Sequence, residues 1–328
     1  MSLTNNSNIP LSVSVFLATN SYDFKPNPRS LSATDFNRSI RQVILRNRMN
    51  GPDSPTEPVD IASLVKSKMG TAIHDSIEKT WLDPQMRETG LRNLGYTDSV
   101  IKRIVVNPTE VTSEQIPVYM EIRKSIKLGD WTVSGKFDFV AEGALTDFKS
   151  TSTFTYTKKV NDDKFCKQGS IYKVIHKDII TNPHLTIVYW FTDWKEASAK
   201  GDPTYPQSPV LPYKIKLMDE DTTIQFMQSF INQLEKHEHT PEPELPQCTK
   251  EELWQDDPVY KYYRDPMKKA RATKNFDSLI EARKYFGSNG GVGEIVTVPG
   301  KAMACNYCSA ATMCSQYKQL KAQGLIKE

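Results

Sequence analysis

Residues 135–150 read GKFDFVAEGALTDFKS, two short apolar runs joined by the pair Glu142 and Gly143. Apolar and polar residues alternate on both sides of that pair, which predicts two antiparallel strands and a tight turn. Successive strand residues face opposite sides, so Asp147 and Lys149 share a face while Phe148 points the other way. A tight turn at EGA would set Asp138, on the preceding strand, beside Asp147.

Two aspartates held close repel, and one takes up a proton unless a cation neutralises them. A hard divalent ion such as magnesium, which prefers oxygen ligands, meets that need, and a lysine beside it can hold or help deprotonate a metal-bound water. The spacing alone leaves open a plainer reading, in which all three are solvated charges on the exposed face of an edge hairpin.

Around this pair the period is that of a sheet. PVYMEIRKSIKL, WTVSGKFDFVAE and ALTDFKSTSTF read as three successive strands of an antiparallel meander, joined by GD and EG. Upstream, SATDFNRSIRQVILRNRM from Ser32 and IASLVKSKMGTAIHDSIEKTWL over 61–82 have helical spacing, with the proline-rich loop NGPDSPTEPVD between them. In the second of these, Ile61, Leu64, Val65, Ile73, Ile77 and Trp81 form an apolar stripe with His74 beside it. Residues 83–113 carry only a weak signal for a short helix near 97–104. Downstream come a helix over 162–180, the continuous apolar strand LTIVYWFTDW, the strand YKIKLM and a helix over 219–238.

The expected organisation is an N-terminal arm (1–30), an α/β core with a mixed central sheet flanked by helices (31–240), and a small cysteine-held C-terminal subdomain (241–328). With 328 residues and 38% hydrophobic content the chain can build a real core. Lysine and arginine number 42 against 39 acids, so any nucleic-acid contact must come from local patches. The apolar stretch IPLSVSVFLA at 9–18 is too short to span a bilayer and lacks a basic lead-in, which predicts a cytoplasmic protein with no membrane partner.

Five cysteines are placed unevenly: Cys166, Cys248, then Cys305, Cys308 and Cys314 close together. In a reducing compartment such clustering points to a metal or an iron-sulfur cluster. A trio wants a fourth ligand, and Cys248 opens the same subdomain. Zinc is the alternative to a 4Fe-4S cluster, and spacing does not separate them. Cys166 reads as a buried core cysteine. GSNGGVGE at 287–294 reads as a turn, since no Gly-Lys-Ser/Thr follows it. YKYYRDPMKKARATK at 260–274 suits either contact with single-stranded DNA or a solvated surface.

G-x-x-D, a short turn, then two apolar residues and D-x-K-[ST] resembles the core of the PD-(D/E)XK nucleases, in particular the RecB-like exonucleases. Three outlying motifs are similar to that family in the same order: GTAIH ending at His74, Glu121 before the first aspartate, and QGSIY from Gln168 to Tyr172. The resemblance implies a restriction-endonuclease-like core acting as a metal-dependent DNA exonuclease in recombination, repair or replication. His74, Asp138 and Asp147 would ligate Mg2+ or Mn2+, with the Phe148 carbonyl a further ligand. Glu121 would join the aspartates and Lys149 in the catalytic set, and Gln168 and Tyr172 would position substrate or the lysine. Asp147 stands where many relatives carry Glu, which the family pattern allows.

The cysteine trio resembles that of AddB-type helicase-nucleases and CRISPR-adaptation nucleases, where a 4Fe-4S cluster pins the chain end. Their first cysteine lies upstream of the nuclease motifs, so the fourth ligand is not carried over. ELPQCTKEELW is more similar to stand-alone RecB-like nucleases of phages, which share P-x-C-x-x-E-E-x-W. The implied partners are DNA and a helicase, recombinase or single-strand-binding protein, in a bacterial or phage-infected cell. The other readings are a non-catalytic DNA-binding or scaffold protein on the same fold, and a nuclease that trims DNA for CRISPR adaptation.

Overall fold

The computed structural model describes residues 3–19, 29–49 and 58–326. The chain begins with β1 (Leu3–Thr4), α1 (Leu11–Ala18), β2 (Ser30–Ser32), α2 (Ile40–Arg48) and β3 (Val59–Asp60). Helices α3 (Val65–Leu82), α4 (Pro84–Asn93) and α5 (Asp98–Ile101) lead into β4 (Ile104–Val106), β5 (Ile116–Met120), β6 (Arg123–Leu128), β7 (Trp131–Lys136), β8 (Phe139–Ala141) and β9 (Ala144–Thr151). Then come α6 (Thr153–Lys158), α7 (Asp162–Ile175), β10 (His184–Phe191), α8 (Glu196–Gly201), β11 (Val210–Lys216) and α9 (Glu220–His237). The chain ends with β12 (Val259–Tyr263), β13 (Lys274–Phe276), α10 (Leu279–Ser288), β14 (Glu294–Val298) and α11 (Ser315–Ala322).

The residues group into two units, one spanning Met1–Asn37 and Glu57–Asn232, the other Arg38–Thr56 and Gln233–Glu328. In the first, a six-stranded mixed sheet runs β11-β10-β9-β8-β5-β4. β9 and β10 pair in parallel, as do β4 and β5, and the other neighbours are antiparallel. A parallel neighbour needs a crossover, and α7 supplies it between β9 and β10. Leu145, Leu185, Ile187 and Tyr189 are buried in this sheet, and α7 packs on it through Gly169, where a Cβ would lie 2.9 Å from Leu185, and Phe165, whose ring centre lies 6.4 Å from that of Tyr189.

The expected meander is present, but its first two strands are each broken in the middle. PVYMEIRKSIKL splits into β5 and β6 around Glu121, and WTVSGKFDFVAE into β7 and β8 around Phe137 and Asp138. β5 and β8 belong to the six-stranded sheet, whereas β6 and β7 form a second sheet with β2. The pairing passes through the break without a slip: Met120 faces Phe139 on one side of it and Arg123 faces Lys136 on the other. The two halves are therefore one long hairpin bent at its centre, with Glu121 opposite Asp138. The Glu121 N–H donates to the Asp138 carbonyl at 3.3 Å, holding the bend.

The turn from β8 to β9 closes on Ala141 opposite Ala144. Glu142 and Gly143 have φ of 49° and 77°, the two left-handed residues that match a two-residue turn to the twist of its strands. Gly143 is fixed twice over, because a Cβ there would lie 2.1 Å from Thr181 Oγ1.

Several expectations need correction. The helix expected from Ser32 is a 3-10 turn (Ala33–Asn37) followed by α2, which Ser39 caps by accepting from the Gln42 N–H at 3.0 Å. α4 went unforeseen because its apolar pattern is weak, Leu91 alone being buried, while Asp83 at its N-cap and Pro84 in its first turn define its start. The stripe along 61–82 is only half-covered: no residue of α3 is buried, and Ile73, Ile77 and Trp81 line an open groove with Trp190. LTIVYWFTDW buries one face rather than both, with Leu185, Ile187, Tyr189 and Phe191 inward and Trp190 outward. Cys166 is half-buried, its thiol donating to the Lys216 carbonyl at 3.3 Å. The proline-rich loop at 50–60 falls largely outside the described residues. No helix of the described residues is long and apolar enough to cross a membrane.

In the second unit, β13-β12-β14 form a small antiparallel sheet. Tyr262, Phe276 and Ala282 are its buried centre, with Tyr260, Tyr285, Phe286 and Ile295 packed around them.

Candidate active site

The bend of the hairpin and the turn after it align three carboxylates. Glu121 lies opposite Asp138, and the β8–β9 register, with Phe139 facing Thr146, places Asp138 next to Asp147. Glu121, Asp138 and Asp147 thus form one row across three adjacent chain segments. Like charges directly opposed on a sheet destabilise it. Glu121 also holds a φ of 53°, a left-handed conformation that costs a non-glycine residue about 1 kcal/mol. Both features point to a geometry kept for a purpose other than stability.

α3 brings His74 to this row. Gly70 permits the approach: a Cβ there would lie 2.9 Å from Ser150 Oγ on β9. One turn later, His74 Nε2 lies 2.8 Å from the Phe148 carbonyl and Nδ1 lies 3.5 Å from Asp138 Oδ2. A carbonyl only accepts, so in the neutral ring Nε2 donates and Nδ1 turns its lone pair toward Asp138. Metal-bound histidines are commonly oriented in this way by a backbone carbonyl. The Phe148 carbonyl, expected as a metal ligand, here fixes the ring of His74, while the Phe148 N–H donates to Asp138 Oδ2 at 2.8 Å. One ligand atom from each of His74, Glu121 and Asp138 falls within 4.8 Å of the others, and among the described residues this is the sole such grouping of histidine, cysteine or acidic side chains. A nitrogen and two carboxylates in a pocket that concentrates negative charge fit a divalent cation such as Mn2+ or Mg2+.

The electrostatics agree with that fit. Burial, and then the charge of Asp147, push the Asp138 carboxyl up to about 7, against the pull of Lys149, His74 and the Phe148 N–H. Lys149 lies two residues beyond Asp147 on the same strand face and pairs with Asp147 Oδ2. Burial works against its charge, but Asp147 and Asp138 together outweigh that and raise its pKa, so the side chain stands as an ammonium. Its Nζ also lies 5.8 Å from the centre of the Phe165 ring on α7. Lys136 forms an ion pair with Glu121.

Gln168 and Tyr172, expected to act as a pair, are joined directly: Gln168 Nε2 donates to the Tyr172 hydroxyl at 2.8 Å. Tyr172 is buried among core residues of its own unit. One acidic residue near the row went unnoticed in the sequence. Glu78 sits one turn beyond His74 on α3, and burial followed by the charge of Glu121 raises its pKa. The His74-to-Glu78 spacing of four on a helix was the available signal.

In the second unit, Cys248, Cys305, Cys308 and Cys314 line one cavity with Arg41 and Leu253. Ser39 Oγ lies 3.2 Å from Cys248 Sγ, and Arg41 Nε donates to Cys314 Sγ at 3.2 Å. Arg41 is buried, and also donates to the Leu245 carbonyl at 2.9 Å and to Glu242. Gln316 clasps the Cys248 backbone, accepting from its N–H at 2.8 Å and donating to its carbonyl at 3.0 Å. Burial raises the thiols of Cys248 and Cys305 to about 11, and that of Cys308 also rises. Deprotonated sulfurs here therefore call for a cation.

No protein-family model and no curated protein matches the chain. Among solved structures it is similar to SSO0001, at 14% identity over 67% of this chain and 83% of that one, with a TM-score of 0.36. It is also similar to an alkaline exonuclease from Laribacter hongkongensis, at 10% identity over 63% and 90% of the two chains and a TM-score of 0.32. A phage-related exonuclease from Haemophilus somnus 129PT shares 10% identity over 63% and 96%, with a TM-score of 0.25.

The raised carboxyl of Asp138 has a definite sign. A group that holds its proton more tightly when folded supports the folded state fully below its ordinary pKa of 3.8 and loses that support as pH rises through about 7. In EDTA, Asp138→Asn is therefore expected to melt at a higher temperature than the parent above pH 7 and to show less loss of stability between pH 4 and 7. Adding Mn2+ is expected to raise the melting temperature of the parent and leave that of the variant nearly unchanged.

Proposed function

We propose that the chain is a metal-dependent deoxyribonuclease that hydrolyses phosphodiester bonds, acting as an exonuclease in recombination, repair or replication. The observation behind this is the carboxylate row Glu121, Asp138 and Asp147, with His74 at one end and Lys149 on the strand face beside it. The resemblance of GKFDFVAEGALTDFKST, GTAIH and QGSIY to RecB-like exonucleases supports the same reading. A purely DNA-binding role would leave three opposed carboxylates and a left-handed Glu121 without a use.

Mg2+ or Mn2+ held by His74, Glu121 and Asp138, with Asp147 beside them, would polarise a phosphoryl oxygen and acidify a water. The protein's own groups prepare the reaction. The Phe148 carbonyl fixes the His74 ring, and the Phe148 N–H fixes one oxygen of Asp138. Lys149, held as an ammonium by Asp147, donates hydrogen bonds to the attacking water or to a non-bridging phosphate oxygen and offsets charge that grows during attack. Gln168 and Tyr172 brace α7, from which Phe165 packs against the Lys149 head. The substrate of this reading is DNA; a helicase, recombinase or single-strand-binding partner would supply access to its ends.

The cysteine site is proposed to hold a 4Fe-4S cluster, with zinc the rival. All four cysteines line one cavity, which supports a shared metal site. The role of either would be to staple α2 to the residues around Cys248 and Cys314.

Linear and closed circular DNA incubated with the protein and Mg2+ or Mn2+ test the nuclease reading. Degradation of linear DNA alone is expected, with Lys149→Ala slower by about 100-fold or more. If wild type and variant both leave every substrate intact, the enzymatic reading fails. Anaerobic purification should give a brown protein containing iron and sulfide, the colour being lost in Cys314→Ser. A colourless protein with one equivalent of zinc would replace the cluster by zinc.

A further inference from the structure

We propose that the second unit carries a binding surface for single-stranded DNA on β12 and the loop that follows it, outside the carboxylate site. Residues 260–274 hold six basic side chains, from Lys261 to Lys274, against one acid, Asp265. The whole chain exceeds neutrality by only three, so this short stretch holds more positive excess than the entire protein, and the remainder is net acidic. Charge segregated in this way is the electrostatic footprint of a polyanion site.

The fold gathers that charge. Tyr262 turns inward against Tyr285, with ring centres 5.3 Å apart, so Lys261 points to the other face of the β13-β12-β14 sheet. The loop over 264–273 is closed at its base. The Thr273 N–H donates to the Tyr262 carbonyl at 2.9 Å, and the Arg264 N–H donates to Thr273 Oγ1 at 3.1 Å. Lys261, Lys269 and Arg271 then line one depression of about 460 Å³ with Tyr263. Lys269 is steadied by Glu294 at 2.6 Å, while Lys274, opposite Tyr262 in the register, lies on the inward face, 4.6 Å from the centre of the Tyr285 ring. Three cations gather around this hollow, Glu294 offsetting one of them, and a strand with a negative charge at every phosphate binds there by displacing its own counterions.

The same unit also exposes aromatic rings on which the bases of an unpaired strand would stack. Trp254 and Tyr307 are 50% and 70% exposed, with their rings 6.0 Å apart and inclined by 39°. Trp254 is held at a φ of 48°, in the left-handed region that a bulky residue rarely enters. Unpaired bases stack on such rings whatever their identity, whereas bases inside a duplex offer no free face.

Binding does not require hydrolysis, so it is measured on the full-length protein in EDTA, by fluorescence anisotropy of a labelled oligonucleotide over a range of salt. The double variant Lys261→Glu with Arg271→Glu is expected to bind single strands at least about tenfold more weakly. Its log-log salt slope should be shallower by about 1.4, two phosphate contacts being lost. Trp254→Ala should weaken binding with the slope unchanged. Unaltered affinity and slope in the double variant, or a loss confined to duplex DNA, would overturn the proposal. Cleavage of bis(p-nitrophenyl) phosphate with Mn2+ should be unaffected by the double substitution. Absence of that cleavage in the parent, with strand binding intact, would count against the nuclease reading alone.

Discussion

Three carboxylates held in a row across adjacent strands repel one another, and the fold around them is arranged to keep them there. Glu121, Asp138 and Asp147 are aligned by registers that run without a slip through the bend of one hairpin and the tight turn of the next. Neither strand could twist away from the repulsion without unpairing the sheet on one side of the bend. The outcome is visible in Asp138, whose carboxyl is pushed up to about 7 by burial and by Asp147. A site that is uncomfortable when empty gains most from a cation, which is how binding energy for a metal is stored in a protein.

The bend matters as much as the charges. Had β5 continued straight into β6, both would lie in one sheet and Glu121 would be an ordinary strand residue with φ below zero. The break instead turns Glu121 into the left-handed region and leaves Asp138 just before the start of β8, where its Oδ2 reaches both the Phe148 N–H and the ring of His74. Phe137 anchors the other side of the break, buried edge-on to His176 with ring centres 4.7 Å apart. The close approach of α3 at Gly70 completes the site by setting His74 over the row.

Much of this was legible in the sequence, and the parts that were not have physical reasons. The turn at Glu142 and Gly143 announces itself, and strand alternation puts Asp147 and Lys149 on one face, so the juxtaposition of the aspartates with the lysine follows from local rules. The bend does not, because Ile122 and Phe137 continue the apolar alternation through it and only long-range pairing shows that each half belongs to a different sheet. Glu78 stayed hidden because a glutamate on a half-exposed helix looks like solvated surface until Glu121 is brought near it. The stripe on α3 misled in the opposite direction, since helical spacing reports an apolar face and not how much of it will be covered. The trio Cys305, Cys308 and Cys314 stands out by its clustering, whereas the reach of Ser39 and Arg41 to Cys248 and Cys314 spans 209 and 273 positions of chain and has no local signature.

The most direct test of the carboxylate row is an anomalous-difference map from crystals soaked in Mn2+, compared with crystals of Glu121→Gln treated in the same way. A peak bounded by His74, Glu121 and Asp138 in the parent, lost or strongly reduced in the variant, is the expected result. Manganese bound elsewhere with the row left empty, or a peak of equal height in Glu121→Gln, would contradict the assignment of this site.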